Sequence, residues 1–536
     1  MASNSKSFSH LFNSNATPRP LEGASIQHKV DDLTTDIEGV KSQIERLQRQ
    51  LKELEGQRHS YQALLSPLRR IPLEIHGEIF AHILADIDPE NSERPVDTAL
   101  INLCLVCRAW RNAALATPRL WNHLVLDGLP TSLRSEVVSH WFSRSGVAPN
   151  TLQVFGDSHE GCQGPEGCEF SNVGLAKLLT DGPQLSHLVF SCTSSQCLRN
   201  FIDLMKTMET GKPRPWDTLK SLKLSFSHEW NEPASPSESI FLHIPSSVTT
   251  FHLFVPYYSD VSTHPDVLNL PIPENTLTNL TTFTLGCDWS GTKMWKVLQL
   301  CKNVETLTLD YGFSEISYHD DEPYFLEVCD TGLLLPKVHT LRLNHMRPNV
   351  VDFIHILETP MLVELDISFS NFARSPAHYV DLADALDNFC LALVAFIGRT
   401  RTLRKLRIYA VKMSKPQIRW IFTSLPHLTH LTLDNVWFDA SILDDLSSEM
   451  VELTLRTPLP SLQVFELLSL PVDFPLQSLK RFIEDRHLIS WAITLKKVVV
   501  TYQEYESVTD SEDAISGLEH GCPVEFSVGL VKSGSG

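Results

Sequence analysis

Cysteine and histidine side chains are the groups in this sequence best suited to bind a metal or to react with a substrate. Cys104 and Cys107 have the C-x-x-C spacing of redox and zinc sites. A second such pair is absent from the sequence, and this pair lies beside Trp110 in an apolar stretch. A thiol in such surroundings acts as a small hydrophobic side chain, so we predict that both cysteines are packing residues.

A second group of candidate ligands, His159, Cys162 and Cys168, lies in a glycine-rich stretch. Three ligands within ten residues could hold a metal ion, but structural zinc takes four, and the neighbouring sequence shows no fourth. The spacing therefore predicts an ordinary insertion loop. We predict no metal ligand and no cofactor for the chain.

Catalytic motifs are missing from the sequence. It contains neither common type of glycine-rich phosphate loop, no H-E-x-x-H and no G-x-S-x-G. A catalytic triad is defined by positions in space, so an enzyme remains one alternative, which would require a polar cleft with perturbed titratable groups. We predict no catalytic residues and a chain that is not an enzyme.

The acidic composition limits the classes of partner. The chain has 45 Lys and Arg residues against 64 Asp and Glu residues, a net charge of −19. A general nucleic-acid binder needs a basic face, so we predict no nucleic-acid partner. The sequence contains no apolar stretch long enough to cross a membrane and no secretory signal at its start, so no membrane partner is predicted. Eleven scattered cysteines favour a reducing compartment, which indicates an intracellular protein of the cytoplasm or nucleus.

The elements that organise the chain begin with a heptad repeat over residues 26–65, after a Ser/Asn-rich tail, residues 1–25, that we expect to be mobile. Apolar residues at alternating spacings of three and four hold one seam against a partner helix. This pattern predicts a coiled coil that pairs two copies of the chain. A single helix packed on the rest of the chain is the alternative. The seam consists of Val30, Leu33, Ile37, Val40, Ile44, Leu47, Leu51 and Leu54.

Residues 66–126 form a predicted helical block with three distinctive strings. They are Ile71-Pro72-Leu73-Glu74-Ile75, then Val106-Cys107-Arg108-Ala109-Trp110 inside a helix predicted over 99–111, and Pro118-Arg119-Leu120-Trp121. The block resembles an F-box domain, whose L-P-x-E-I, V-C-x-x-W and P-x-L-W motifs these strings match, with Ile71 in place of the usual Leu. It is similar to the form found in mushroom-forming fungi, in which a coiled coil precedes the F-box.

The F-box resemblance implies a function. Such domains dock on a Skp-type adaptor, which joins them to a cullin and a RING protein, so the chain would be the substrate-recognition subunit of a ubiquitin ligase. A non-catalytic interaction scaffold is the alternative. Trp121 is expected to close the core of the block and join it to the rest of the chain. Carried over by motif, the adaptor-binding residues are Pro72, Leu73, Ile75, Val106, Cys107 and Trp110.

The rest of the chain repeats a short pattern. An apolar residue, two others, an apolar residue, one other and an apolar residue recur ten times over residues 185–467, with helical stretches between. This is typical of a solenoid of leucine-rich-repeat type, which we predict for 127–500, against the alternative of an irregular α/β domain. A last strand is expected over 497–502, and 501–536 is predicted to be an acidic, partly disordered tail. The predicted fold class is mixed α and β: a coiled-coil helix, a small all-α F-box and an α/β solenoid.

The residues between the apolar strand positions should point away from the core and form an exposed sheet face. They mix polar, acidic and basic types, which suits a protein substrate that the sequence does not identify. Ordinary solvated strand residues are the alternative interpretation. The candidate substrate face consists of Lys223, His252, Arg342, Asp366, Arg407 and Glu466, together with Thr284, Thr308 and Thr432.

Overall fold

The chain consists of two units, Met1–Ile79 and Phe80–Gly536. The structure is a computed structural model. It describes residues 9–12, 14–85, 96–129, 133–156, 162, 165, 167–208, 214–257, 268–289, 291–311, 322–347, 351–369, 379–451, 458–471, 474–489, 495–503 and 525–531.

The first unit is dominated by one long helix. After the short α1 (Ser9–Phe12), α2 (Pro20–Leu64) runs for 45 residues, and a 3₁₀ turn (Pro67–Arg70) follows it. Pro20 suits the first helical position, and the Glu22 carboxylate accepts a hydrogen bond from the Arg19 backbone N–H at 2.9 Å. The helix therefore begins within residues 1–25, which we expected to be a mobile tail.

Short helices carry the F-box motifs. They are α3 (Leu73–Ala85), which contains the boundary between the units, α4 (Val96–Val106), α5 (Arg108–Leu115) and a 3₁₀ turn (Pro118–Trp121). The single helix predicted over 99–111 is wrong, because Cys107 is extended (φ −161°, ψ 170°) and separates α4 from α5. Its sulfur accepts a hydrogen bond from the Trp110 backbone N–H at 3.5 Å, so Cys107 acts as the N-cap of α5.

Fourteen parallel strands form one sheet in the second unit. In sheet order they are β1 (His123–Asp127), β2 (Thr151–Phe155), β3 (His187–Ser194), β4 (Ser221–Glu229), β5 (Thr250–Phe254), β6 (Thr282–Gly286), β7 (Thr306–Asp310), β9 (Thr340–Met346), β11 (Glu364–Phe369), β12 (Lys405–Lys412), β13 (His430–Trp437), β14 (Val464–Leu470), β15 (Lys497–Gln503) and β16 (Glu525–Val531). The short strands β8 (Leu333–Leu334) and β10 (Leu357–Glu358) pair with each other.

Helices connect most of these strands. They are α6 (Ser135–Phe142), α7 (Val173–Asp181), α8 (Ser195–Thr207), α9 (Glu274–Thr278), α10 (Gly291–Leu298), α11 (Glu322–Thr331), α12 (Val351–Ile356), α13 (Tyr379–Arg399), α14 (Lys415–Ser424), α15 (Ser441–Val451) and α16 (Leu476–Ile489). Further 3₁₀ turns lie at Pro215–Thr218, Pro236–Glu238 and Ile240–His243.

The strand order is that of a solenoid, because each strand of the large sheet lies beside the next one in the chain. Neighbouring parallel strands must be joined by crossover connections. These connections have the same handedness, so when the strand order never reverses they all lie on one face of the sheet. The other face is left open. The ten predicted repeat units coincide with β3 to β7, β9 and β11 to β14. The predicted repetition of a strand followed by a connecting segment is therefore confirmed.

The predicted ends of the sheet differ from the structure. The strand expected over 497–502 is confirmed as β15, but β1 and β2 precede the first predicted repeat. β16 pairs with β15 inside the segment we predicted to be an acidic tail. The alternation of Phe526, Val528 and Leu530 accounts for this strand, since it matches the pattern of the buried strands before it. Residues 504–524 lie outside the described residues.

Alternate strand residues make the core. In β5 the buried Phe251 and Leu253 alternate with partly exposed residues, and the ring of Phe251 stacks on Phe283 of β6 at 6.0 Å between centroids. Each such phenylalanine removes enough apolar surface from water to stabilise the fold by about 1.5–3 kcal/mol. Every strand thus covers its neighbours, as expected of stacked repeats.

A left-handed residue recurs at the same position in four strands of the sheet. The sixth residue of β9, β12, β13 and β14 has a positive φ between 52° and 58°. Such a residue bends a strand locally, and a non-glycine residue adopts it at a cost of about 1–2 kcal/mol. The recurrence indicates that these repeats share one backbone path. The four residues are His345, Ala410, Asn435 and Ser469.

Candidate interaction surfaces

Helix α4 is apolar on more than one side. Leu100 is fully buried, whereas Ile101, Leu105 and Val106 are exposed. The exposed fraction is 67% for Leu105 and 60% for Val106. A helix that packs only against its own domain normally shows one apolar stripe and a polar opposite face. The second apolar side of α4 is therefore an unusual feature of a solvent-facing surface.

The inner side of these helices belongs to a small core. Trp110, which is partly buried, packs against Phe80 with 5.1 Å between ring centroids. Of the predicted adaptor residues in the second unit, Val106 and Cys107 are therefore exposed, while Trp110 supports the core. The buried members of this core are Phe80, Leu84, Leu100, Ala113, Ala114, Leu120 and Trp121.

The other three predicted adaptor residues lie in the first unit. Pro72, Leu73 and Ile75 are all exposed at the start of α3. His76, which follows them, is buried, and its Nδ1 lies 3.2 Å from the carbonyl oxygen of Pro72. The motif residues thus present apolar side chains to solvent on a fixed first helical turn.

Trp121 joins the F-box motif to the sheet, as the sequence predicted. Its indole N–H donates a hydrogen bond to the carbonyl oxygen of Ala114 at 2.8 Å. Its ring meets the edge of Trp141 on α6 at 4.7 Å between centroids. The guanidinium of Arg144 lies 4.4 Å from the Trp121 ring centroid, a cation–π contact. The last F-box motif is therefore packed on the first repeat.

The C-x-x-C pair is divided by the helix break. Cys104 is partly buried and packs against the small core, and burial raises the pKa of its thiol. Cys107 is exposed and caps α5. The predicted packing role is confirmed for Cys104. It is wrong for Cys107, whose sulfur accepts a hydrogen bond from a backbone N–H instead.

The heptad seam of α2 is open to solvent. None of the 45 residues of α2, all of which the structure describes, is buried. The eight seam side chains expose between 48% and 62% of their surface. The seam residues are Val30, Leu33, Ile37, Val40, Ile44, Leu47, Leu51 and Leu54.

The candidate substrate residues form one continuous row on the sheet. Each is the direct neighbour of the next across adjacent parallel strands. The row spans β4 to β14 and runs Lys223, His252, Thr284, Thr308, Arg342, Asp366, Arg407, Thr432 and Glu466.

Members of this row pair with one another. Arg407 contacts Asp366 at 3.2 Å and Asp434 at 2.8 Å. Burial alone would lower the pKa of Arg407, but the hydrogen bonds and charges of the two aspartates raise it. Glu466 accepts a hydrogen bond from the Thr432 hydroxyl at 2.8 Å. The carboxylates and the guanidinium of this part of the row are thus held in fixed positions.

Arg342, His252 and Thr284 of the row also have polar partners. A guanidinium nitrogen of Arg342 lies 3.5 Å from a carboxylate oxygen of Glu364. His252 Nδ1 lies 2.8 Å from the Thr284 hydroxyl, and burial, with a smaller contribution from the charge of Lys223, lowers the pKa of His252. The row therefore has a defined charge pattern without one dominant sign.

The glycine-rich stretch contains an arrangement that the sequence spacing did not reveal. Cys162 and Cys168 are buried, and the fold brings buried Cys197 of α8 to them, with all three sulfur atoms within 4.8 Å of one another. Hydrogen bonding to Cys197 is the main cause that lowers the pKa of Cys168, and the same interaction raises the pKa of Cys197. His159 lies outside the described residues.

Comparison with known proteins identifies the helical block. Residues 68–127 match the model of the F-box-like family. This region is an F-box-like domain, and it contains all six predicted adaptor-binding residues. No curated protein matches the chain.

Among solved structures, the chain is similar to the protein in a crystal structure of a TLR13–ssRNA13 complex. The identity is 14% and the TM-score 0.32, and the match covers 66% of this chain and 50% of that one. The chain thus spans about half the length of that neighbour. Among the helices that the structure describes, none combines the length and the apolar character needed to cross a membrane.

Proposed function

We propose that the chain is an intracellular substrate-recognition subunit of a Skp–cullin–F-box ubiquitin ligase. Its F-box-like domain would dock on a Skp-type adaptor, and its repeats, of leucine-rich-repeat type, would bind a protein substrate. The observation that carries this proposal is that the region matching the F-box-like family also leaves large apolar side chains in solvent on α4.

The exposed side of α4 has the chemistry of a protein-binding surface. Isolated surface leucines are common, but Ile101, Leu105 and Val106 lie together on one short helix. Ile101 and Leu105 are four residues apart, so they lie one above the other on the helix surface. Polar residues such as Arg108 and Asn102 lie near them in sequence and are exposed. An apolar centre with a polar edge is typical of protein interfaces.

The proposed role needs no chemistry from the chain itself. Holding a substrate beside a ubiquitin-charged enzyme raises the effective concentration of the reacting groups. The chain would contribute binding and position, while the catalytic step belongs to the partner proteins. We accordingly propose that it is not an enzyme and that recognition of the substrate requires no cofactor.

The row on the open face of the sheet is the proposed substrate-binding surface, except for Thr284, which was expected to be exposed but is buried. Its acidic and basic groups alternate, as in Arg342, Asp366 and Arg407. A substrate with complementary alternating charges could engage the row while leaving ion pairs such as Arg407–Asp434 in place. Such complementarity contributes more to specificity than to affinity.

Binding of a purified Skp-type adaptor to the full chain tests the docking step. We expect Leu105→Asp/Val106→Asp to weaken binding by about 30-fold to 1000-fold, because two apolar contacts of about 1–2 kcal/mol each are replaced by carboxylates. Isothermal titration calorimetry measures the affinity, and circular dichroism checks that the variant is folded.

Val137→Asp is the matched control, since Val137 on α6 is 63% exposed and lies outside the F-box-like region. It should bind the adaptor as the wild type does. Equal affinity of the double variant, or no binding by folded wild-type chain, would contradict the docking proposal. Adaptor binding without ubiquitin transfer in a reconstituted cullin–RING assembly would favour the scaffold alternative.

A further inference from the structure

The buried cysteine cluster joins parts of the chain that are distant in sequence. Cys162 and Cys168 lie in the connection between β2 and α7, and Cys197 lies in the first turn of α8. All three side chains are buried, and their sulfur atoms lie within 4.8 Å of one another. The cluster thus lies where the insertion meets the core of the sheet.

The surroundings hold the sulfur atoms in place. The Asn200 side-chain amide, one turn after Cys197 on α8, donates a hydrogen bond to the Cys162 sulfur at 3.4 Å. The Ser194 hydroxyl lies 3.6 Å from the Cys197 sulfur. Hydrogen bonds to sulfur from outer groups are the usual way in which a protein orients thiolate ligands.

Buried aromatic rings follow two of the cysteines closely in the chain. Phe170, two residues after Cys168, packs on Phe190 at 5.6 Å between ring centroids, and Phe190 packs on Phe201 at 5.2 Å. The absence of a side chain at Gly156 allows the Phe170 ring to approach, because a Cβ there would lie 2.4 Å from it. Phe170, and with it the chain next to Cys168, is therefore packed against β3, whose Phe190 in turn packs on α8.

We propose that Cys162, Cys168 and Cys197 bind one thiophilic d¹⁰ cation, Zn²⁺ or Cu⁺, which fastens the β2–α7 connection to the start of α8. Thiolates are the ligands that both ions prefer. Zinc–sulfur bonds are about 2.3 Å long, which places sulfur ligands of one ion about 3.8–4.0 Å apart. The separations in this cluster allow that geometry with small side-chain rotations.

Metal binding at this site is an exchange of protons for a cation. Each thiol that still carries a proton loses it to the solvent as its sulfur–metal bond forms, with no oxidant or reductant required. Zn²⁺ would complete its four ligands with a water molecule, whereas Cu⁺ is satisfied by three sulfur atoms. The shared chemistry is a soft-metal site with three thiolates.

The first experiment measures metal in the full chain. The chain is purified under reducing conditions without added metal, and plasma mass spectrometry quantifies zinc and copper per chain. We expect about one equivalent of one of them. The metal-stripped chain is then titrated with Zn²⁺ and, under anaerobic conditions, with Cu⁺. Substitution by Co²⁺ should give sulfur-to-cobalt charge-transfer bands and the visible bands of a four-coordinate ion.

Variants test which residues bind. Cys162→Ser and Cys197→Ser should each weaken metal binding at least tenfold and reduce the intensity of the charge-transfer bands. Cys301→Ser is the matched control, because Cys301 is also buried but lies outside the cluster. Circular dichroism shows whether each variant is folded, and the metal titration of folded protein decides the result.

Several outcomes would overturn the inference. The first is a folded wild-type chain that neither retains nor tightly binds either ion. The second is that the cluster variants bind metal as the wild type does. A third is an intact mass lower by two hydrogen atoms that persists under reducing conditions, which would indicate a stable disulfide in place of the metal.

Discussion

Helix α2 leaves its apolar seam residues exposed to solvent, whereas the parallel sheet buries its apolar residues. No residue of the 45-residue helix is buried, although its seam repeats over several heptads. In the sheet, alternate residues of strand after strand are fully buried under the neighbouring repeats. A repeat array completes its own core, whereas a heptad seam is completed only by a second helix. If the seam does pair with a second helix, α2 is the part of the molecule whose burial depends on a partner.

The F-box-like domain is intermediate between these two. It has a core of its own around Phe80 and Trp121, and it also exposes apolar residues on α4. Small domains bury a smaller share of their surface than large ones, which makes such a domain suited to gain stability from a partner. The exposure of large apolar side chains thus increases from the sheet to the F-box-like helices to α2.

The largest effect is expected in α2. If the seam pairs two copies of the chain, Leu47→Asp/Leu51→Asp removes four leucines from each dimer. At about 1.5–3 kcal/mol for each leucine, association should weaken by about 6 kcal/mol or more, which is over ten-thousandfold. Sedimentation equilibrium at micromolar concentration should show a wild-type dimer and a variant monomer.

The control substitutions lie on the side of α2 away from the seam. Thr35→Asp/Ser42→Asp adds the same two charges at positions between the apolar residues, and this variant should remain a dimer. A monomeric wild-type chain at these concentrations would contradict self-association, and the seam would then have to pair with a different protein.

A second, smaller effect compares burial directly. Phe251→Ala should lower the free energy of unfolding of the sheet by about 3–5 kcal/mol, because it removes a fully buried ring that stacks on Phe283. Leu33→Ala in α2, measured where the chain is monomeric, should change stability by less than about 0.5 kcal/mol. Urea unfolding provides both values.

Tryptophan fluorescence separates the two regions in this experiment. All ten tryptophans lie after residue 80, so their emission reports on the second unit, while circular dichroism reports on both. A loss of less than 1 kcal/mol for Phe251→Ala would contradict the description of the sheet as a tightly packed core.

The sheet register could be predicted because the repeats are alike. An alternation of period two identifies the buried face of a strand, and a shift by one residue would expose the whole apolar set. The nine candidate residues from Lys223 to Glu466 therefore fall in one row. β16 was missed because an acidic stretch precedes its short apolar alternation.

One local helix break and several contacts between residues distant in sequence could not be predicted. The helix break at Cys107 lies within a continuous run of helix-forming residues, and a cysteine is an uncommon N-cap. Cys197 approaches Cys162 and Cys168 only because β3 pairs with β2, so local spacing showed two of the three cysteines. The exposure of Val106 and the partial burial of Trp110 also needed the fold, since both belong to one motif.

The smallest predicted effect concerns a charged pair beside the candidate row. His345 Nδ1 lies 2.8 Å from a carboxylate oxygen of Asp310 on the neighbouring strand, and this hydrogen bond raises the pKa of His345. A raised pKa in the folded state means that the pair stabilises the fold below the ordinary histidine pKa of about 6.5. This stabilisation is lost as the pH rises through the higher folded value.

His345→Gln should therefore reduce stability at pH 6 and leave it nearly unchanged at pH 9. The His345 side chain is 40% exposed, so solvent screening limits the effect to about 0.5 kcal/mol. Urea unfolding at both pH values measures the difference, with His228→Gln, an exposed histidine of β4, as the control. A loss of stability that is equal at the two pH values would show that His345 contributes through packing at its left-handed position, and that its charge contributes nothing.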